Sequence, residues 1–448
     1  MNTEKNRVEI LAFCAERISV LQTKIKSAAA DIAAGSDISV LGEKTRSEFD
    51  SSACFRLLTA AQEPAKLPGL LDNALGFLEN PHQENQLPPP GIFFGKHPPE
   101  GGLGFVFPGQ GSQYPYMGFG LENVSEETKR LAEIAEQAFS GNPSLTSRMY
   151  PRREAPAKPS DEETSALQQT DIAQPAIGTV SLIMLNILKK HGISADAACG
   201  HSFGELSALC AAKRIREEDF MKLAVKRGRL MAAAGKNSQD SGGMLAVKAP
   251  AKTIEHIIEN HGVDVVLANR NSPNQSVVSG PLDEIEKMQK ICLKHRIISA
   301  RVPVSAAFHS RLVTDAAEPF KKIVMDTPFY PGRIPVYSNT TALPYPGDAE
   351  KARDLLGGHL VQPVNFIDEI TNMYKAGVRT FVEVGPKAVL TGLIKSILSE
   401  HPHTAFSVDA SCGRQTALMD LARAICKTSA LGHKADLKNW PGAFRPAS

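Results

Sequence analysis

Gly200-His201-Ser202-Phe203-Gly204-Glu205 lies between the weakly apolar run Ala195-Asp196-Ala197-Ala198-Cys199 and the helix-prone run Leu206-Ser207-Ala208-Leu209-Cys210-Ala211-Ala212. The stretch reads as a short strand, a one-residue elbow and a helix. Glycines at 200 and 204 let two backbones pass closely, which leaves Ser202 exposed at the apex. Such a serine is a candidate nucleophile, and the free N–H groups at the start of the following helix would favour an oxyanion formed beside it. A serine in an ordinary tight turn fits the same pentapeptide, so the rest of the chain must decide.

The 448 residues, 42% hydrophobic, suffice for one large core and one or two smaller ones, hence two or three domains. Fifty Lys and Arg against 48 Asp and Glu leave a formal charge of +2. No basic block is dense enough to imply a nucleic-acid partner. No apolar run approaches the roughly 20 residues that span a bilayer, and Met1 to Arg7 lacks the layout of a signal peptide. The expectation is a cytoplasmic protein with no membrane partner. Seven scattered cysteines without a C-x-x-C pair argue against a disulfide framework and a zinc site, and no metal is expected.

Along the chain, apolar residues at helical spacing (Val8, Leu11, Ala12, Ala15, Ile18, Leu21) predict one long helix from Lys5 to Ala34. A strand at Ala53 to Leu58 and a helix from Pro64 to Glu79 complete a small α/β unit. The proline-rich stretch 87–102 reads as extended joint, with a boundary near residue 101. Leu103 to Phe107 reads as a buried strand running into the glycine-rich loop Pro108-Gly109-Gln110-Gly111-Ser112-Gln113, which lacks the spacing of a phosphate loop. Residues 140–165 read as an exposed loop. Helices at Ile172 to Lys190 and Glu217 to Ala233 flank the elbow, and the alternation of strand and helix predicts a parallel α/β core. Residues 243–304 read β-α-β-β-α-β, the ferredoxin-like order. Strands at Ile334 to Ser338, Thr380 to Val384 and Ala405 to Val408, with helices between and after them, return to the core.

A nucleophilic serine needs a base, and twelve histidines are available. His201 adjoins Ser202, but neighbouring side chains at a sharp elbow point apart, so it reads as structural. His309, in Ala306-Ala307-Phe308-His309-Ser310, is the better candidate, although spacing alone does not bring it to Ser202.

Phe105-Val106-Phe107-Pro108-Gly109-Gln110-Gly111-Ser112-Gln113, Gly200-His201-Ser202-Phe203-Gly204-Glu205, Ala306-Ala307-Phe308-His309 and Val382-Glu383-Val384-Gly385-Pro386 stand in this order. Together they resemble malonyl-CoA:acyl-carrier-protein transacylases and the acyltransferase domains of polyketide and polyunsaturated fatty-acid synthases, over residues 103–430. The resemblance implies an α/β-hydrolase-like core with a parallel sheet at 102–242 and 305–430, and a ferredoxin-like subdomain inserted at 243–304. It implies ping-pong transfer of a malonyl group from malonyl-CoA through a Ser202 ester to the phosphopantetheine thiol of an acyl carrier protein, with no bound cofactor. His309 would serve as base and acid, and the backbone amides of Gln110 and Phe203 as oxyanion hole. The backbone carbonyl of Asn365 would orient His309 in place of a third carboxylate.

By the same resemblance Arg227 would pair bidentately with the free malonyl carboxylate. The bulky Phe308 and Phe203 favour malonyl over methylmalonyl, and Gln113 and Gln174 would line the pocket. Ala306 departs from the family, where histidine is usual, and a roomier pocket is the consequence. Gln168, Asn269, Asn271 and Ser276 fit turns and caps as well as substrate contacts. Residues 1–101 resemble the linker between a ketosynthase and an acyltransferase, and 431–448 the linker that follows, so an adjacent ketosynthase is expected. The alternatives are a carrier-thioester hydrolase of the same fold and a non-catalytic docking module.

Overall fold

The computed structural model describes residues 7–80, 86–152, 159–237, 242–304 and 306–440. The first unit contains β1 (Glu9–Ala15), α1 (Ile18–Ala33), α2 (Ile38–Ser47), β2 (Phe55–Ala61), α3 (Leu67–Glu79) and β3 (Ile92–Lys96), with an antiparallel sheet in the order β1-β2-β3. The long helix expected from Lys5 to Ala34 is therefore a strand followed by a helix. The reason is burial on both faces. Ile10 and Ala12 pack into the main core, whereas Leu11, Phe13 and Ala15 pack into the cluster with Leu21, Leu71 and Ala74. A strand apolar on both sides has no period of two, and its residues matched helical spacing by coincidence. β3 lies within the stretch expected to be extended joint. Gly95 is required there, because a Cβ would sit 1.7 Å from the carbonyl oxygen of Ala430.

The central unit begins with β4 (Gly102–Phe107), α4 (Glu126–Phe139), α5 (Leu145–Met149), α6 (Asp161–Gln168), α7 (Thr170–Lys190), β5 (Ala197–Gly200), α8 (Gly204–Ala211) and α9 (Glu217–Asn237). α5 and α6 occupy parts of the expected 140–165 loop, and residues 153–158 of it lie outside the described residues. α7 is long and apolar enough by composition to cross a bilayer, against the sequence expectation. Yet 89% of its apolar window is buried, so here the apolar surface packs against other helices, chiefly α9 and α4.

The chain continues through β6 (Gly243–Val247), α10 (Ala251–His261), β7 (Val266–Ser272), β8 (Gln275–Gly280), α11 (Leu282–Lys294) and β9 (Ser299–Arg301), whose antiparallel sheet runs β7-β8-β6-β9. Leu245, Val247, Ile254, Val278, Ile285 and Met288 give this small unit its own apolar cluster. Ser305, at the expected boundary, lies outside the described residues.

The remainder comprises α12 (Thr314–Met325), α13 (Ala349–Gly358), α14 (Phe366–Lys375), β10 (Val378–Glu383), α15 (Val389–Ile397), β11 (Thr404–Ser407) and α16 (Ala417–Ala430). The central sheet is parallel throughout, in the order β11-β10-β4-β5, which makes this an α/β fold. The expected strand at Ile334 to Ser338 is reduced to two isolated bridges, a parallel one from Val336 to Ala198 and an antiparallel one from Tyr337 to Pro344. Pro335 has no N–H to continue a ladder. After α16 the chain returns to the first unit, where the indole Nε1 of Trp440 donates to the carbonyl of Val8 at 2.8 Å. Residues 441–448 of the expected terminal linker lie outside the described residues.

Candidate active site

β5 ends at Gly200 and α8 begins at Gly204, leaving one sharp reversal between them. Ser202 sits at its apex with φ +51°, a backbone conformation that L-residues rarely adopt without local compensation. The compensation is close packing. A Cβ on Gly200 would stand 2.1 Å from the carbonyl carbon of Gly204, and one on Gly204 would stand 2.0 Å from the carbonyl oxygen of Phe107. The side chain of Asn339 clamps the turn from outside, accepting from the amide of Ser202 at 2.6 Å and donating to the carbonyl of Gly200 at 2.5 Å.

His309, 107 residues further on, brings Nε2 to 2.8 Å from Ser202 Oγ. Its Nδ1 lies 2.8 Å from the carbonyl oxygen of Gln362, which only accepts. The proton is therefore on Nδ1, and Nε2 is free to accept from the serine hydroxyl. This corrects the expectation for Asn365. The carbonyl of Asn365 accepts from the amide of Glu369 as the first turn of α14, and its side chain donates to the carbonyl of Thr340. Gln362 precedes Pro363 and is extended (φ −103°, ψ 151°), so its carbonyl is not committed to a helix.

Arg227, on α9, is 1% exposed. Each of its three nitrogens has a partner: Nη2 donates to Ser202 Oγ at 3.2 Å, Nη1 to Gln174 Oε1 at 2.9 Å and Nε to His359 Nε2 at 3.1 Å. Gln174, fully buried in α7, is thus in contact with Arg227. His359 in turn lies 3.1 Å through Nδ1 from Glu205 Oε2. Glu205 Oε1 accepts from the Tyr345 hydroxyl at 2.6 Å and from the amide of Asn339 at 3.2 Å.

The electrostatics follow from this enclosure. Burial first, then the positive charge of Arg227, pushes His309 down to about 3, so its imidazole is neutral at ordinary pH. Burial likewise lowers Arg227 to about 9, and the charge of Glu205 opposes the shift. Burial lowers His359 too, although its bond to Glu205 pulls the other way.

The amides of Gln110 and Phe203 have no hydrogen-bond partner among the described residues. The glycine-rich loop reaches the elbow because Gly109 lacks a Cβ, which would stand 2.4 Å from the carbonyl oxygen of His201. The Gln110 side chain donates to Thr170 Oγ1 at 3.1 Å. Other expected residues sit differently. Phe203 is wholly buried, its ring 6.2 Å from that of Phe220, so the side chain packs the core. Gln113 Oε1 accepts from the amide of Gly111 at 2.7 Å and braces its own loop. Phe308 is buried beside His309, and Ala306 is buried in the same core. His201 bonds Asn271 at 2.8 Å and meets the ring of Phe366 edge-on.

Sequence reading missed His359, Gln362 and Asn339. It quoted Glu205 without giving it a role. The available signal was weak: Glu205 stands three residues after Ser202 on α8, and His359 three before Gln362.

Residues 104–428 match the family described as "Acyl transferase domain". The chain is 35% identical over 303 residues to the polyketide biosynthesis protein PksE of Bacillus subtilis, aligning 66% of itself but spanning only 36% of that protein. To the polyketide biosynthesis malonyl CoA-acyl carrier protein transacylase PksC of the same organism it is 35% identical over 298 residues, 65% of this chain and 96% of that one. Among solved structures, the acyltransferase domain from the second module of the salinomycin polyketide synthase superposes with a TM-score of 0.72 at 25% identity, covering 94% of this chain and 93% of the other. A serine on a strained elbow, a histidine within bonding distance of it and the extent of these matches lead to one assignment: the chain belongs to the acyl transferase domain family.

Proposed function

We propose that this chain moves a malonyl group from malonyl-CoA to the phosphopantetheine thiol of an acyl carrier protein, through an ester on Ser202. The observation that carries the reading is the convergence of His309 Nε2 and Arg227 Nη2 on a single oxygen, Ser202 Oγ, at 2.8 and 3.2 Å. In the first half-reaction Oγ bonds to the thioester carbon while its proton passes to His309 Nε2, and the carbonyl electrons move onto an oxyanion. The amides of Gln110 and Phe203 would receive that charge, each such donor contributing about 3 to 4 kcal/mol. Collapse breaks the C–S bond, and the imidazolium returns its proton to the departing CoA sulfur. The second half-reaction reverses these steps with the carrier thiol as nucleophile.

Arg227 selects the diacid. A malonyl carboxylate gives the buried guanidinium an anionic partner, whereas an acetyl group leaves it without one. The same pairing offsets the positive charge that lowers His309, so the base strengthens when substrate is bound.

We further read residues 243–304 as a ferredoxin-like subdomain inserted in an α/β-hydrolase-like core (102–242 and 305–430), and residues 1–101 with 431–448 as linkers that join it to a ketosynthase. The strand order β7-β8-β6-β9 supports the first reading, and the bond from Trp440 to Val8 supports the second.

The test is intact-mass spectrometry of wild type, Ser202→Ala and Arg227→Ala after brief exposure to malonyl-, methylmalonyl- or acetyl-CoA, followed by holo carrier protein. A malonyl adduct on wild type that moves to the carrier, absent from Ser202→Ala, is expected. Equal labelling by acetyl-CoA would refute the selection by Arg227, and release of free malonate without carrier loading would replace transfer by hydrolysis.

A further inference from the structure

Arg227 has two edges able to grip a carboxylate in bidentate fashion, one formed by Nη1 and Nη2 and the other by Nε and Nη2. The second is closed at Nε. The Nε hydrogen is donated to His359 Nε2 at 3.1 Å, while Nη1 and Nη2, with two hydrogens each, keep one beyond their bonds to Gln174 and Ser202. His359 is able to accept because its own proton is on Nδ1, held 3.1 Å from Glu205 Oε2. Both His359 and Glu205 are buried, and the ring of Phe320 stacks on the imidazole at 5.7 Å, which fixes the plane of the ring.

We propose that His359, fixed in its Nδ1–H tautomer by Glu205, is a positioning residue that blocks the Nε edge of Arg227 and presents the Nη1–Nη2 edge to the acyl carboxylate. The proposal deepens the reading of Arg227 given above and rests on it.

The chemical type of the spacer matters as much as its place. A carboxylate bonded directly to Arg227 would hold the guanidinium equally well, but it would neutralise the charge that the incoming diacid needs. The neutral imidazole passes the orienting effect of Glu205 to Arg227 while keeping the two charges one ring apart. The guanidinium thus remains a partly unsatisfied cation with Nη2 against the nucleophile. Glutamine reproduces the arrangement, since its amide oxygen can accept from Nε while its NH2 donates to Glu205. Leucine fills similar space and does neither.

The experiment compares single-turnover acylation by malonyl-CoA and acetyl-CoA in wild type, Arg227→Ala, His359→Leu and His359→Gln, with thermal melting of each protein. For His359→Leu the preference for malonyl over acetyl falls roughly tenfold to a hundredfold, the size of one hydrogen bond to a charged group. Acetyl acylation falls less than malonyl acylation, because an acetyl group has no carboxylate for Arg227 to receive. His359→Gln restores the preference to within about threefold of wild type, a rescue that loss of packing alone would not produce. If Arg227→Ala leaves the preference unchanged, the underlying role of Arg227 fails. If Arg227→Ala abolishes it while both His359 variants, folded, retain it, the positioning role fails and that of Arg227 stands. If His359→Leu does not fold, His359→Gln against His359→Asn decides, since the shorter amide cannot span both partners; equal preference in the two overturns the proposal.

Discussion

The two sides of the site are built in opposite ways. The nucleophile side is local: within Gly200–Glu205 one stretch supplies the strand end, the strained serine, an open amide at Phe203 and the helix behind it. The base side is assembled from distant pieces. His309 lies 107 residues from Ser202 and is held by the carbonyl of Gln362, 53 residues further along. His309 also has a positive φ of 58°, and its amide donates to the carbonyl of Leu360. A local device depends on backbone sterics that a few residues determine. A distributed one depends on the packing of α12, α13 and the segment before α14.

The contrast can be broken at several points. Ser202→Ala removes the hydroxyl proposed to form the ester, so carrier loading drops by at least about a thousandfold while the melting curve stays near wild type; stopped-flow acylation measures it. His309→Ala costs about a hundredfold to ten-thousandfold. The pH profile sharpens that result. Because the imidazole in the free enzyme is pushed down to about 3, it stays unprotonated as pH falls through 6.5, and the acid limb of acylation lies well below the ordinary histidine value. A limb at 6 to 7 would show that His309 is better hydrated than this enclosure implies.

Gly204→Ala probes the local side through stability. Its Cβ would meet the carbonyl of Phe107 at 2.0 Å, backbone that cannot swing aside, so unfolding free energy drops by about 3 kcal/mol in urea titration. The smallest effect is expected at Gln113→Ala, which removes the brace on the amide of Gly111 in a half-buried loop. Acylation slows about twofold to fivefold through looser placement of the Gln110 amide, with no change in the malonyl preference. A change in preference there would bring Gln113 into the acyl pocket.

The same division explains which sequence readings matched the structure. The elbow, the strand Leu103–Phe107 and the core helix from Ile172 are legible because each carries its signal within a short stretch. Glu9–Ala15 was misread because its two faces enter two different apolar clusters, and a strand buried on both sides has no alternation to detect. The expectation for Asn365 fails because motif position locates a segment but not which carbonyl in it is free. Pro363 and the first turn of α14 decide that, in favour of Gln362.

What the sequence determined by itself was the chemistry on offer: a serine at a glycine-flanked elbow, an arginine on the helix after the elbow helix, a glycine-rich loop and a histidine after 306–308. Only the tertiary structure decided how these are poised. It placed the proton of His309 on Nδ1, turned Asn339 onto the elbow and set His359 and Glu205 behind Arg227. The reason is physical. Hydrogen-bond direction and desolvation depend on which groups meet in a low-dielectric interior, and residues 25 to 154 positions apart are brought together only by the complete packing of the fold.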